Sequence, residues 1–261
     1  MPHYRTRRFS ERSHFLPKSN ILSKVGCYHH ILSIQQISTP TFSFFEPPPT
    51  PTDLQTVESV LRLSRKYDVP YFKSRALSHL NSAFPMTLDG WNHRDQNRTI
   101  PALDLTPFTV VQTAREFDLD WLLPSILYCI CSHPIERTLG PSLIHDEEVR
   151  QICIIGRQKL LLMQAKEALH MSTNPVVMSC PGGRCASTLR YFANVLCGLE
   201  SVGLLNYFDD ITSDFPDNLC QSCKANFRET CAVACQKMWN ELPTVFGFSS
   251  WENLEKKKLS Y

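Results

Sequence analysis

Eleven cysteines stand among 261 residues, and four of them have the spacing of metal ligands: Cys180-x4-Cys185 and Cys220-x2-Cys223. Zinc takes four thiolates in a tetrahedron, typically as two close pairs from separate loops or helix starts. Cys180-Pro181-Gly182-Gly183-Arg184-Cys185 is a glycine-rich knuckle able to turn both sulfurs inward. Cys220 and Cys223 fall where a helix should begin, and the helix dipole there favours thiolate. One structural zinc held by these four, with no open coordination position, is the strongest chemistry on offer. The competing reading is four small buried residues, because free cysteine is among the most buried types. The 34 residues between the pairs also exceed the usual zinc-finger spacing.

The remaining reactive side chains suggest packing. Cys231 and Cys235 share a helical stripe with Phe227 and Met238, and Cys129, Cys131, Cys153 and Cys197 fall on apolar helical faces. Cys27-Tyr28-His29-His30 offers adventitious metal binding with nothing downstream to complete it. Nucleophilic catalysis needs a cysteine or serine with a base and an orienting group. His79, His93, His133, His145 and His170 sit in no such motif and read as solvated surface residues. Asp146-Glu147-Glu148 suits the first turn of a helix, and Pro181-Gly182-Gly183-Arg184 lacks the lysine and spacing of a phosphate loop. These residues argue against an enzyme.

Composition narrows the class further. The apolar content of 43% and charged content of 20% are those of a globular chain. A net charge of +2 gives no basic stripe for nucleic acid. No apolar run approaches the eighteen residues of a membrane span. Without a secretory leader, an odd cysteine count argues for a reducing compartment, cytoplasmic or nuclear.

The elements that must position the cysteines are helices. Thr52-Asp53-Leu54-Gln55 fits a capping box with Thr52 as N-cap, and Leu54, Val57, Val60, Leu61 and Ser64 then recur at helical spacing. Asp68 is expected to cap a second helix carrying Pro70 in its first turn and a Phe72, Ala76, Leu80, Phe84 stripe. Residues 92–104 read as a polar surface loop. Thr106 and Asp120 are expected to cap the next two helices. Glu147 to His170 reads as one long helix bent at Gly156, with Val149, Ile152, Ile155, Leu160, Met163 and Leu169 inward. Ala186 to Phe208 is helical in pattern, and a last helix runs from about Asp217 to Glu241 before Pro243. The fold class is mainly α.

The pattern Phe42–Pro48, then Val60-Leu61-Arg62-Leu63-Ser64-Arg65-Lys66-Tyr67 with Ala76-Leu77 and Leu80, then Leu88-Asp89-Gly90-Trp91, resembles the closing hairpin of fungal BTB/POZ proteins. The similarity continues through Phe108 to Cys131 and returns at Leu219-Cys220-x2-Cys223 and Trp239-x2-Leu242-Pro243-x2-Phe246-Gly247. Similar cysteine pairs recur in those relatives, which favours the zinc. Nothing in residues 1–41 matches the D-x-x-F-x-V-H-x-x-x-L segment that opens a complete BTB domain. The resemblance therefore implies a domain that has lost its N-terminal half. It divides the chain into a basic leader (1–41), the C-terminal part of a BTB-like domain (42–134), a helical cysteine-containing region (135–250) and a charged tail (251–261). Leu61, Phe72, Leu77, Leu80 and Trp91 should form the hairpin core.

The implied function is a protein–protein interaction module without catalysis. The family's roles are homodimerisation, adaptor binding to a cullin-type ubiquitin ligase, and transcriptional co-regulation. The missing half carries the dimerising surface, which argues against homodimerisation here. The alternative is a zinc-stabilised nucleic-acid-binding or transcription-regulating protein. It is disfavoured because Lys224, Arg228 and Lys237 on the last helix are balanced by Glu229 and Glu241.

Overall fold

Pro70 and Asp68 set the first corner of the molecule. The computed structural model describes residues 45–101, 106–140, 143–173, 180, 184–198, 202–205 and 219–261. The leader at 1–41, including Cys27 to His30, lies outside them. Helix α1 (Leu54–Tyr67) is capped by Asp53, whose carboxylate accepts from the Thr56 amide, so the cap falls one residue after the expected Thr52. Asp68 does not cap α2 (Pro70–Ala83). It closes α1 in the left-handed region at φ 52°, its amide bonded to the Ser64 carbonyl, and Val69 precedes Pro70 without a side-chain cap.

Eleven helices and no strand occur among the described residues, so the mainly α class is correct. After the hairpin come α3 (Leu88–Asn92), α4 (Arg94–Asn97), α5 (Thr106–Glu116), α6 (Leu123–Cys131) and α7 (Ile135–Leu139). They are followed by α8 (Glu147–Ser172), α9 (Arg184–Gly198), α10 (Gln221–Val245) and α11 (Trp251–Ser260). Residues 92–101 are thus partly helical, with Thr99 and Ile100 buried, and 102–104 lie outside the described residues. Leu122 rather than Asp120 stands at the cap of α6. The described residues all fall within one contact unit, 42–261, and α6 and α7 pack on α8 across residue 134.

Leu61, Leu80 and Trp91 are buried as expected, whereas Phe72 and Leu77 stay half-exposed. The central knot is aromatic. Trp91 meets Tyr128 edge-on at 5.3 Å and Trp239 at 5.4 Å, and Trp239 stacks on Trp251 at 5.2 Å with an 11° interplanar angle. Each indole also finds an acceptor: Trp91 donates to the Leu205 carbonyl, Trp239 to that of Met86 and Trp251 to that of Trp239.

Helix α8 faces the core differently from its apolar pattern. Val149, Cys153, Leu160, Ala168 and Met171 point inward with Arg157 and Gln164, while Ile155 and Leu169 are 53% and 63% exposed. The two polar residues satisfy distant backbone. Arg157 donates to the carbonyls of Cys131 and His133 at the end of α6, and Gln164 accepts from the amides of Gly203 and Leu204. Gly156 provides a close approach: a Cβ there would lie 2.3 Å from the Phe246 ring.

His79 is wholly buried, contrary to its reading as a surface residue. Its Nε2 lies 2.7 Å from the Glu46 carbonyl and must donate; its Nδ1, 2.6 Å from Thr99 Oγ1, then accepts. Burial lowers its pKa, against the opposing pull of the Glu46 carbonyl. The unfolded chain therefore takes up the proton first, near pH 6.5. The stability this residue contributes is complete above that pH and is lost as pH falls toward the lower folded value. We expect the melting temperature to drop as pH falls below about 6.5. The variant His79→Gln should flatten that slope, and an unchanged profile would refute the assignment.

Candidate metal centre

Two helix starts bring the four cysteines together. Cys220 is the N-cap of α10, its sulfur accepting from the Cys223 amide at 3.5 Å, and Cys223 lies in the first turn. Cys185 lies in the first turn of α9, and Cys180 precedes that helix. Both helices turn inward immediately afterwards: Leu189 and Phe227, each four residues beyond a buried cysteine, are core residues. The side chain one turn on thus anchors each cysteine-bearing helix end.

The sulfurs of Cys180, Cys185, Cys220 and Cys223 all lie within 4.8 Å of one another, close enough to bind a metal ion. The Cys180 and Cys220 sulfurs are 3.8 Å apart, far beyond a disulfide bond, and the Cys220 amide reaches the Cys185 sulfur at 3.5 Å. All four candidate ligands therefore meet, although 34 residues separate the pairs. The knuckle residues 181–183 lie outside the described residues.

Burial divides the quartet. Cys185 and Cys223 are buried, Cys180 is half-exposed and Cys220 is exposed. The Cys223 amide, followed by the neighbouring thiols, lowers the Cys220 thiol to about 7. Burial pushes the Cys223 thiol well up, and the adjacent sulfurs reinforce it. Unpaired, such a buried thiol stays protonated. A cation at the centre reverses that preference, because the metal takes thiolate and releases the proton.

The other cysteines mostly pack. Cys131, Cys153, Cys231 and Cys235 are buried, and Cys231 contacts the Met171 sulfur at 3.9 Å. Cys129 is half-buried, and Cys197, expected on an apolar face, is exposed on α9. Asp146 caps α8, in keeping with the acidic turn read there. No helix among the described residues is long and apolar enough to cross a membrane.

Comparison with protein-family models, curated proteins and solved structures finds no match to this chain.

One further feature is hardly visible in the sequence. The charged tail at 251–261 is largely helix α11, held by the Trp251–Trp239 stack and a Lys257–Asp120 ion pair, and it closes over the first hairpin. Its local trace is faint: Trp251 and Leu254 at helical spacing, with Leu254 buried.

Proposed function

We propose that this chain is a non-catalytic protein-interaction scaffold of the BTB/POZ type, cytoplasmic or nuclear, whose C-terminal helices are clipped by one structural zinc ion. The convergence of four sulfurs from two distant segments carries this reading. Zn–S bonds of about 2.3 Å in a tetrahedron place sulfurs about 3.8 Å apart, and Cys180 and Cys220 stand at that separation. Four thiolates fill the coordination shell, so the ion would join the starts of α9 and α10 and leave no position for substrate.

The hairpin supports the interaction half of the reading. Beyond its resemblance to BTB proteins, it exposes Leu63, Tyr67 and Tyr71, large apolar side chains that a docking partner can cover. The resemblance favours a cullin-type ubiquitin ligase or a transcriptional regulator as that partner.

Metal analysis of protein purified under reducing conditions should give one zinc per chain. The double variant Cys185→Ser/Cys223→Ser should reduce this to about a tenth or less while leaving the other cysteines titratable. Metal-free wild-type protein that stays folded and takes up no zinc on addition would overturn the proposal.

A further inference from the structure

A groove of about 780 Å³ opens between α1, α2, the turn before α6 and α11, on the hairpin and remote in sequence from the cysteines. Its volume is in the range that holds a ligand or a side-chain cluster of a partner. Arg65, Lys73 and Lys258 line it against a single acid, Asp68, and Phe117, Trp121 and Tyr261 supply aromatic walls.

The groove already shows its preference with a residue of the chain itself. The Tyr261 ring meets Trp121 edge-on at 5.1 Å, and Lys73 Nζ stands 3.6 Å from its centroid. The same ammonium donates to a main-chain oxygen of Tyr261 at 3.1 Å. Arg65 lies over Phe117 and donates to the Glu116 carbonyl, so its guanidinium is held in place at the rim. Lys256 and Lys257 are matched to Glu252 and Asp120, whereas Lys258 faces the groove. An aromatic ring beside an oxygen acceptor is thus what these walls and cations hold, and room remains beside Tyr261 for a second such group.

We infer that this groove is the docking site for a protein segment carrying an aromatic residue flanked by aspartate or glutamate. The proposal rests on the interaction-scaffold reading and names the surface and the partner's chemistry. The partner ring would pack against Tyr261 and Trp121, and its carboxylates would face Arg65, Lys73 and Lys258. Charge complementarity of this kind sets specificity and on-rate and makes binding sensitive to salt.

The test is fluorescence anisotropy on the full chain, loaded with zinc. The probe is a short fluorescein-labelled peptide with one tyrosine flanked by glutamates, with a control in which lysines replace the glutamates. Saturable binding to the glutamate peptide is expected, weakened about tenfold or more by Lys258→Glu and further by added salt. Lys258 is partly exposed, so this variant should keep the wild-type melt; Tyr261→Ala, which removes one wall, provides an independent second loss. Equal binding of the lysine peptide, or no saturable binding to a folded chain, overturns the groove. Equally tight, Lys258-dependent binding of a single-stranded oligonucleotide would reassign it to polyanions. If zinc is bound at one per chain and the peptide is not, the groove assignment fails alone. If zinc is absent as well, the scaffold reading fails with it.

Discussion

On the proposed zinc clip, removing the metal is expected to cost this protein about 5 kcal/mol or more, a fraction of the roughly 10–16 kcal/mol that zinc contributes to small finger peptides. In a domain of this size that lowers the melting temperature by more than about 10 °C. Only a fraction is expected because α9 and α10 have other anchors: Leu189, Ala193, Phe227 and Trp239 are buried core residues. The four ligands should not be equivalent. Cys185 and Cys223 are buried, so replacing either with serine leaves a hydroxyl in a dry site and an incomplete set of sulfurs. Cys180 and Cys220 are more open, and water can stand in for a lost sulfur there, with a smaller drop. Thermal melts with and without a strong chelator, in reducing buffer, measure this. Cys197→Ser, on the exposed side of α9, is the control and should melt with the wild type. A chelator-independent melt in metal-loaded protein would remove the structural role.

Trp239→Ala should be the most damaging single substitution outside the candidate metal site, destabilising by about 3–5 kcal/mol from the lost side chain alone. Trp239 is 2% exposed and joins three parts of the fold. Its ring lies on Trp91 of α3 and stacks on Trp251 of α11, and its indole N–H donates to the Met86 carbonyl. Truncation therefore leaves a cavity, an unpaired carbonyl and an unsupported last helix. Trp239→Phe keeps a stacking surface but not the donor, and should lose less. Chemical denaturation gives the values. Similar losses for the Ala and Phe variants would show that the hydrogen bond, rather than the packing, dominates.

Much of this fold is legible in the sequence where one helix face is apolar and local signals mark its ends. Pro70 places the start of α2, and Val57, Leu61, Ala76 and Leu80 identify the inward faces of the hairpin. Legibility fails where long-range polar contacts decide. In α8 the apolar pattern points Ile155 and Leu169 inward, yet Arg157 and Gln164 occupy the core face because carbonyls of the α6 end and amides of residues 203–204 need partners. His79 is inside for the same reason, between Glu46 and Thr99. Helix α11 carries three consecutive lysines and one buried leucine, too faint an apolar stripe to distinguish it from a solvated tail. At the candidate metal site the spacing within each cysteine pair was informative. Whether the pairs meet depends on how α9 and α10 pack, which no local pattern encodes.

The contact between Lys73 and Tyr261 spans 188 residues. Synthesis proceeds at about 5–20 residues per second, so roughly ten to forty seconds separate the appearance of α2 from that of the side chain that closes over it. During that interval the groove beside Trp121 lacks the ring of Tyr261 that lies against it in the finished fold. The folding hazard is therefore one of timing: among the described helices, the first hairpin waits longest for its cover.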